Sequence, residues 1–231
     1  MPRNVIILLG YPGSGKGTQA KQIMRRLSIP QISTGDMLRE EIAKETEAGK
    51  IAKDLMAAGK YVGDSIVDSI VAGRVHRPDC SNGFILDGYP RTVAQAETFS
   101  RELKADDNLS VIEIVADPKH VLSRLLGRLL CPNCTAIYHR DTHPPKQVGV
   151  CDNCGANLKH RPDDEKEQIQ ERFNHYRERT DPVIAYYKKT GCFKQVDGRP
   201  AADKVTTQVM DAISRCAAKS STHPTEKGSL A

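Results

Sequence analysis

The sequence predicts an α/β fold in which helices cover both faces of a five-stranded parallel sheet. Five short runs rich in β-branched and aliphatic residues recur, over 5–9, 31–33, 84–87, 111–115 and 193–196. Segments with helical periodicity separate them, over 16–27, 36–45, 64–77, 92–103, 118–127, 164–188 and 202–217. This alternation is typical of parallel sheets with helices on both faces. The chain has 231 residues, of which 39% are hydrophobic, and this is enough to bury one such core.

The first predicted strand leads directly into a glycine-rich turn. Residues 10–18 read GYPGSGKGT, and an amphipathic helix begins at the lysine of this segment. Backbone N–H groups can wrap phosphate oxygens where glycine lets them approach, and a helix N-terminus adds positive partial charge. Strand, turn and helix together predict a phosphate-binding P-loop, in which Lys16 reaches the β- and γ-phosphates.

The P-loop departs from the general motif at one position. Gly17 stands where a Mg²⁺-binding hydroxyl residue is usual, and Thr18 follows it. We therefore expect the metal to be held mostly by water and phosphate.

The second and third predicted strands also have a polar residue at their carboxyl ends. Thr34 follows the second strand and Asp87 ends the third. Ligands of parallel α/β sheets bind at the carboxyl ends of the strands, so we expect Gly10, Thr34 and Asp87 to border one crevice. Asp87 is interpreted as an acid that orients Mg²⁺ through water, with a helix N-cap or turn aspartate as the alternative. Asp36 is expected to cap the helix that follows it.

Two segments break the alternation and are expected to be insertions on the core. Residues 34–64 hold helical stretches broken by glycines, and residues 128–164 hold four of the seven cysteines. This leaves a single predicted domain over 1–216, whose core comprises 1–33, 65–127 and 165–216. The polar residues 217–231 are expected to be disordered.

Four cysteines in the second insertion have the spacing C-x₂-C-x₁₆-C-x₂-C: Cys131, Cys134, Cys151 and Cys154. This spacing is typical of a four-thiolate zinc site, and four protein ligands leave no open position, so the zinc is expected to be structural. The alternatives are a redox dithiol, two disulfides or an accidental cluster, with iron as the alternative metal. The neighbouring histidines are interpreted as surface residues: His139, His143 and His160.

The composition of the chain bears on whether nucleic acid or a membrane is a binding partner. The net charge of +5 is compatible with nucleic acid, but a site for several phosphates needs the same arginines. Tryptophan is absent and aromatic residues make up 5%, which argues against a stacking platform for single strands. The sequence shows no signal peptide and no apolar run long enough to cross a bilayer, so we expect a cytoplasmic protein without a membrane partner.

Several motifs in one order give the chain a resemblance to the adenylate kinases. They are GYPGSGKGT at 10–18, STGDMLR at 33–39, DGYPRT at 87–92 with Gln95, GR at 127–128, and RPDD at 161–164 followed by Arg172. The likeness covers roughly 4–215. The cysteine-bearing segment resembles the zinc-bearing long lid of many bacterial members.

The resemblance implies a P-loop core, an AMP-binding insertion over 34–64 and a mobile lid over 128–164. It implies reversible transfer of the γ-phosphoryl group from Mg²⁺-bound ATP to AMP, giving two ADP, in a closed cleft. It also implies a structural Zn²⁺, a monomer, and no nucleic acid partner. A relative that phosphorylates UMP or CMP, or that uses GTP, is the alternative enzyme. A zinc ribbon that binds nucleic acid and uses the P-loop as a switch is the alternative from another class.

The roles implied for individual residues fall into four groups. The expected ATP side comprises Gly13, Ser14, Gly15, Lys16, Gly17, Thr18, Arg124, Arg128, Ile137, Tyr138 and Arg199. The expected AMP side comprises Thr34, Arg39, Lys60, Tyr61, Val62, Gly88, Tyr89, Pro90, Arg91, Gln95, Arg161 and Arg172. The expected catalytic groups are Lys16, Asp87, Arg91, Arg128, Arg161 and Arg172. Asp163 and Asp164 match the hinge acids of the lid.

Three positions carry the finer expectations. Thr34 and Gln95 resemble the adenine-contacting pair of AMP-specific members. Many members have a second arginine after Arg128, where this chain has Leu129. We therefore expect the lid to offer one charged contact fewer.

Overall fold

The computed structural model describes residues 2–220 and confirms the parallel sheet. The strands are β1 (Asn4–Leu9), β2 (Gln31–Ser33), β3 (Gly83–Asp87), β4 (Asn108–Val115), β5 (Arg128–Leu130), β6 (Ile137–His139) and β7 (Phe193–Asp197). Among the described residues, five of them form one sheet in the order β2-β3-β1-β4-β7, with every neighbouring pair parallel. Their carboxyl ends share one edge. β5 and β6 form a separate antiparallel pair.

The helices follow the predicted order, with some boundaries moved. They are α1 (Lys16–Leu27), α2 (Thr34–Ala43), α3 (Glu47–Ala57), α4 (Asp64–Val75), α5 (Val93–Ser100), α6 (Pro118–Leu126), α7 (Lys166–His175), α8 (Asp181–Lys188) and α9 (Ala202–Ser220). The segment 164–188, predicted as one helix, is divided: a π-helical turn, Tyr176–Thr180, joins α7 to α8. None of the helices within residues 2–220 has the length and apolar character needed to span a bilayer.

The start of α2 corrects one expectation. Asp36 was expected to cap this helix, but α2 begins at Thr34 and its N-cap is Ser33, whose hydroxyl accepts from the Asp36 N–H. The Asp36 carboxylate instead pairs with Arg39 at 2.6 Å. Serine is among the preferred N-cap residues, and placing it there leaves the aspartate in the first turn, where its charge favours the helix N-terminus.

Both faces of the sheet are buried, and β1 shows why. Its side chains alternate between two hydrophobic clusters, so that Val5 and Ile7 join one cluster while Ile6 and Leu8 join the other. The first cluster takes its cover from the helices α4, α5 and α8. The second takes its cover from α1 and α9. A strand buried on both sides has no polar face, which explains the uninterrupted aliphatic run in the sequence.

The two expected insertions each have internal structure. Helices α2 and α3 pack on each other within 34–64. The segment 128–164 carries β5, β6 and a small hydrophobic cluster around Cys131, Tyr138 and Cys151. At the other end of the chain, α9 continues to Ser220, so residues 217–220 of the expected disordered tail are helical. Residues 221–231 lie outside the described part of the chain.

Candidate active site

A cleft of about 900 Å³ lies at the carboxyl edge of the sheet, between the core and the two insertions. It is lined by all six groups that the sequence predicts to be catalytic: Lys16, Asp87, Arg91, Arg128, Arg161 and Arg172. A smaller cavity of about 40 Å³ adjoins it and is lined by Thr34, Val62 and Gln95 from the expected AMP side. The topology thus brings together segments that lie more than 150 residues apart.

The P-loop has the backbone that close phosphate contact requires. Gly13 has φ +83°, and a Cβ there would stand 2.7 Å from Leu125 Cγ, so only glycine fits. Lys16 begins α1 and its Nζ donates to the carbonyl oxygens of Gly10 (2.7 Å) and Tyr11 (2.8 Å). The first turn of α1 holds no acidic residue, so its positive end faces the cleft uncompensated.

Lys16 lies in a strongly electropositive environment. Burial lowers the pKa of Lys16 to about 8, and the charges of Arg91, Arg172 and Arg128 act in the same direction against Asp87. An anion in the cleft favours the ammonium form and opposes this shift.

Asp87 lies at the end of β3 beside the start of α1. Its carboxylate accepts from Gln31 Nε2 at 3.0 Å, and a Cβ on Gly17 would stand 3.3 Å from Asp87 Oδ2. The glycine therefore lets α1 approach the carboxylate closely. Burial raises the pKa of Asp87, while the charge of Lys16 opposes the rise. The nearest following helix, α5, is capped by Thr92, so Asp87 is not a helix N-cap.

A single carboxylate links two arginines just before the start of α7. The Asp164 side chain has no exposed surface; it accepts from Arg128 Nε and Nη2 at 2.7 and 2.6 Å, and from Arg172 Nη1 at 2.8 Å. Burial alone would raise the pKa of Asp164, but the charges and hydrogen bonds of the two arginines hold it below its usual value. The network fixes both guanidinium groups at the wall of the cleft.

Arg161 has a buried nitrogen without a hydrogen-bond partner and lies among both arginines and carboxylates. Its Nε is buried and has no hydrogen-bond partner among the described residues. Burial, and then the charges of Arg128 and Arg39, lower the pKa of Arg161. A buried guanidinium in a cluster of like charges favours a polyanionic ligand, because phosphate both pairs with the fork and restores the charge balance.

On the expected AMP side, hydrogen bonds fix the orientation of two polar side chains. Thr34 is buried and its Oγ1 donates to the Gly88 carbonyl oxygen at 2.9 Å. Gln95 Nε2 donates to Asp64 Oδ1 at 3.0 Å, and Gln95 Oε1 accepts from the Arg91 N–H at 2.7 Å. Both contacts select the same orientation of the amide.

Three predicted residues have contacts that the sequence did not indicate. Tyr89 borders the cleft, but its ring is 2% exposed and its hydroxyl donates to Asp68 Oδ1 at 2.7 Å. Leu129 packs on the hydrophobic cluster of the lid. Arg199 lines the cleft, with its side chain 70% exposed and paired with Asp197 at 2.7 Å. Of these, the Tyr89 ring is the one that the structure places in the core.

Other residues of the cleft were missed. His139, interpreted as a surface residue, is half-buried and lines the cleft, with Nδ1 accepting from the N–H groups of Asp141 and Thr142. Lys21 Nζ donates to the Thr135 carbonyl oxygen at 2.6 Å and so joins α1 to the lid. Such contacts between distant segments leave no local pattern in the sequence. Cleft residues of the π-helical turn were missed for the same reason: Tyr176 and Thr180.

The four cysteines of the lid form one cluster. Their Sγ atoms lie within 4.8 Å of one another, and the separations of 3.4 Å for Cys131–Cys154 and 3.5 Å for Cys134–Cys151 join different C-x-x-C turns. A tetrahedral zinc bound by four sulfurs at about 2.3 Å sets those sulfurs about 3.8 Å apart. The cluster is therefore compatible with zinc.

Tyr138 makes an additional contact to this cluster. Its hydroxyl accepts from the Asp152 N–H at 2.9 Å and lies 3.6 Å from Cys151 Sγ. Since the oxygen is already an acceptor, its proton is available to the sulfur. Contacts of this kind orient thiolate ligands around a metal.

The fold and the cleft define a phosphotransferase of the P-loop class, because a P-loop lysine, a strand-end acid and converging arginines provide what phosphoryl transfer needs. The family profile described as Adenylate kinase matches residues 8–192. The chain is 47% identical over 206 residues to an adenylate kinase of Archaeoglobus fulgidus, covering 88% of this chain and 95% of that one.

Two further relatives are adenylate kinases with similar identity and coverage. An adenylate kinase of Rhizobium etli (strain CIAT 652) is 47% identical over 213 residues, covering 91% of this chain and 99% of that one. An adenylate kinase of Caldicellulosiruptor bescii is 45% identical over 213 residues, covering 90% and 98%. The chain therefore belongs to the adenylate kinase family, and it is a nucleoside monophosphate kinase.

Proposed function

We propose that this protein transfers the γ-phosphoryl group of Mg²⁺-bound ATP reversibly to AMP, giving two ADP. The observation that carries the proposal is the convergence of Lys16 and four arginines on one cleft, with the buried Arg161 Nε lacking a partner among the described residues. Phosphoryl transfer depends on positioning and on stabilising the charge of the transferring group, and these groups supply both.

The donor phosphates are bound by the P-loop. Backbone N–H groups over 13–18 and the ammonium of Lys16 surround the β- and γ-phosphates. When bound with ATP, Mg²⁺ neutralises charge that develops on the phosphate oxygens, and Asp87 is the residue that would hold its water. Arg124 and Arg199, with Ile137 and Tyr138 of the lid, form the donor side beyond the phosphates.

The acceptor lies on the opposite side of the transferring group. Arg39 and Arg91 bind the phosphate of AMP, and Thr34 and Gln95 contact its base. Lys60 and Val62 line the same region, as do Tyr61, Gly88 and Pro90. Arg128, Arg161 and Arg172 lie between the two nucleotides and stabilise the group in transfer. Closure of both insertions excludes water, so that AMP rather than water accepts the phosphoryl group.

The four cysteines hold a structural Zn²⁺ in the lid. Their geometry fits a tetrahedral site with all four positions filled by protein, so no position is left for substrate. A Zn²⁺ bound there would join the two C-x-x-C turns, so that the lid would move as one rigid unit. We further propose that the active form is a monomer, because the groups assigned to both nucleotides belong to one chain; sedimentation velocity at working concentrations tests this.

The decisive experiment is an ADP-coupled assay of the purified protein with Mg²⁺–ATP and AMP, CMP, UMP or GMP in parallel. We expect rapid turnover with AMP only. A preparation made in the same way from host cells that do not express the chain measures any contaminating kinase. Preference for another monophosphate would refute the assignment of Thr34 and Gln95, and absence of turnover with all four would refute the reaction.

A further inference from the structure

We propose that Tyr61 is a positioning residue for Arg91: its ring orients the guanidinium group, and its hydroxyl bonds Thr180 of the π-helical turn, which in turn bonds the Arg91 carbonyl oxygen. This inference rests on the proposed function of Arg91 as a ligand of the acceptor phosphate. Tyr61 lies in the connection between α3 and α4, so it belongs to the predicted AMP-binding insertion, whereas Arg91 follows the core strand β3.

The first contact is between the Arg91 guanidinium and the Tyr61 ring. Arg91 Cζ lies 4.9 Å from the ring centroid, within the range of a cation–π interaction. Arg91 Nε donates to the Gly88 carbonyl oxygen at 2.7 Å. The ring holds the guanidinium carbon on one side and the Nε bond holds it on the other, which leaves the two Nη groups for a phosphate. The Tyr61 ring is itself packed on the His175 ring, with centroids 5.1 Å apart.

The second contact runs through two hydroxyl groups. Thr180 Oγ1 donates to the Arg91 carbonyl oxygen at 3.1 Å and lies 3.2 Å from the Tyr61 hydroxyl. Because the Thr180 proton is used on Arg91, the Tyr61 hydroxyl is the donor of the second bond. Thr180 is buried and ends the π-helical turn, so this turn places the hydroxyl where it reaches both partners.

These contacts make the orientation of Arg91 depend on the position of the insertion. When Tyr61 moves away from the core, Arg91 loses its ring contact, and Thr180, which still donates to the Arg91 carbonyl oxygen, loses its bond from the Tyr61 hydroxyl. Arg91 keeps its bond to Gly88, since both belong to the loop after β3. The phosphate-binding geometry is therefore completed when the insertion lies against the core.

The experiment compares Tyr61→Leu with Tyr61→Phe in steady-state kinetics. Leucine removes the ring and the hydroxyl, and we expect kcat/KM for AMP to fall about 5- to 20-fold, the range of one partly desolvated cation–π contact. Phenylalanine keeps the ring and should recover most of this loss, to within about threefold of the original protein. The KM for ATP should change by less than about twofold in both. A loss shared equally between the two substrates would show a general structural role and overturn the proposal.

A double-mutant cycle separates this proposal from the function on which it rests. If Tyr61 acts through Arg91, then Tyr61→Leu should cause no further loss of kcat/KM for AMP in an Arg91→Ala background. Additive losses would overturn the proposal. If Arg91→Ala alone leaves the AMP dependence unchanged, the proposed function of Arg91 fails and the inference fails with it. If Arg91→Ala impairs AMP use and Tyr61→Leu does not, the inference alone fails.

Discussion

Replacement of Asp164 by asparagine is the sharpest test of the ion-pair network that Asp164 forms with Arg128 and Arg172. The carboxylate is fully buried and accepts three hydrogen bonds from Arg128 and Arg172, at 2.6 to 2.8 Å. Asparagine has nearly the same shape but no charge, and its NH₂ group cannot accept from a guanidinium. The substitution therefore leaves two clustered arginines without their shared counter-charge while the packing changes little.

The magnitude follows from the burial of the pair. Removing one partner of a buried ion pair costs about 3–5 kcal/mol, and we take about 3 kcal/mol because asparagine keeps one acceptor. For a chain of this size, each kcal/mol lowers the Tm by about 2–4 °C, so the expected loss is about 6–12 °C. An exposed pair of the lid provides the control: Asp141 has a side chain that is 70% exposed, so Asp141→Asn should change the Tm by less than about 2 °C.

The assay is thermal unfolding followed by circular dichroism at several pH values. The pKa of Asp164 is depressed in the folded protein, so its contribution is present above the pKa of the unfolded state and is lost as the pH falls through the folded value. The Tm difference between the original protein and Asp164→Asn should thus be constant near neutrality and shrink below about pH 4. Two results would refute the reasoning: a Tm of Asp164→Asn within 2 °C of the original protein at pH 7, or a Tm difference that does not change with pH.

Three further outcomes are expected from the site. Lys16→Met should lower kcat by at least about 100-fold with little change in Tm, and near-normal turnover would contradict the P-loop assignment. Because the pKa of Lys16 is lowered to about 8, Lys16 loses its proton near that pH, and kcat/KM for ATP should decline above about pH 8. In Lys16→Arg the decline should begin at a higher pH. A pH profile that stays flat to pH 9.5 would argue against the lowered pKa. For the zinc proposed in the lid, chelation should lower the Tm strongly while activity at low temperature changes little, and an immediate complete loss of activity in a folded protein would speak against a structural zinc.

The parts of the structure that could be predicted from sequence are those with a local signal. The aliphatic runs of β1 and β3 identify strands because both faces of the sheet are buried, and the glycines of the P-loop identify a backbone that other residues cannot adopt. The cysteine spacing is likewise a local pattern, and the four sulfurs do lie together.

The parts that could not be predicted depend on contacts between distant segments. The sequence contains nothing that brings Lys21 to Thr135 or Tyr61 to Arg91, since only the folded chain sets these distances. The division of the segment 164–188 also escaped prediction, because a single π-helical turn of five residues is too short to leave a periodicity of its own in the sequence. At the start of α2 the sequence offered two candidate N-cap residues, Ser33 and Asp36, and did not decide between them.

The two-sided burial of β1 has a consequence for the time at which the protein can fold during synthesis. Ile6 and Leu8 are made near the start of translation, yet their cluster includes Val209 and Ile213 of α9. The ribosome must add about two hundred residues before that cover exists, which at about 5–20 residues per second takes about 10–40 s. During that interval the hydrophobic face of the strand that precedes the P-loop lacks the cover of α9 and can bind chaperones or other nascent chains.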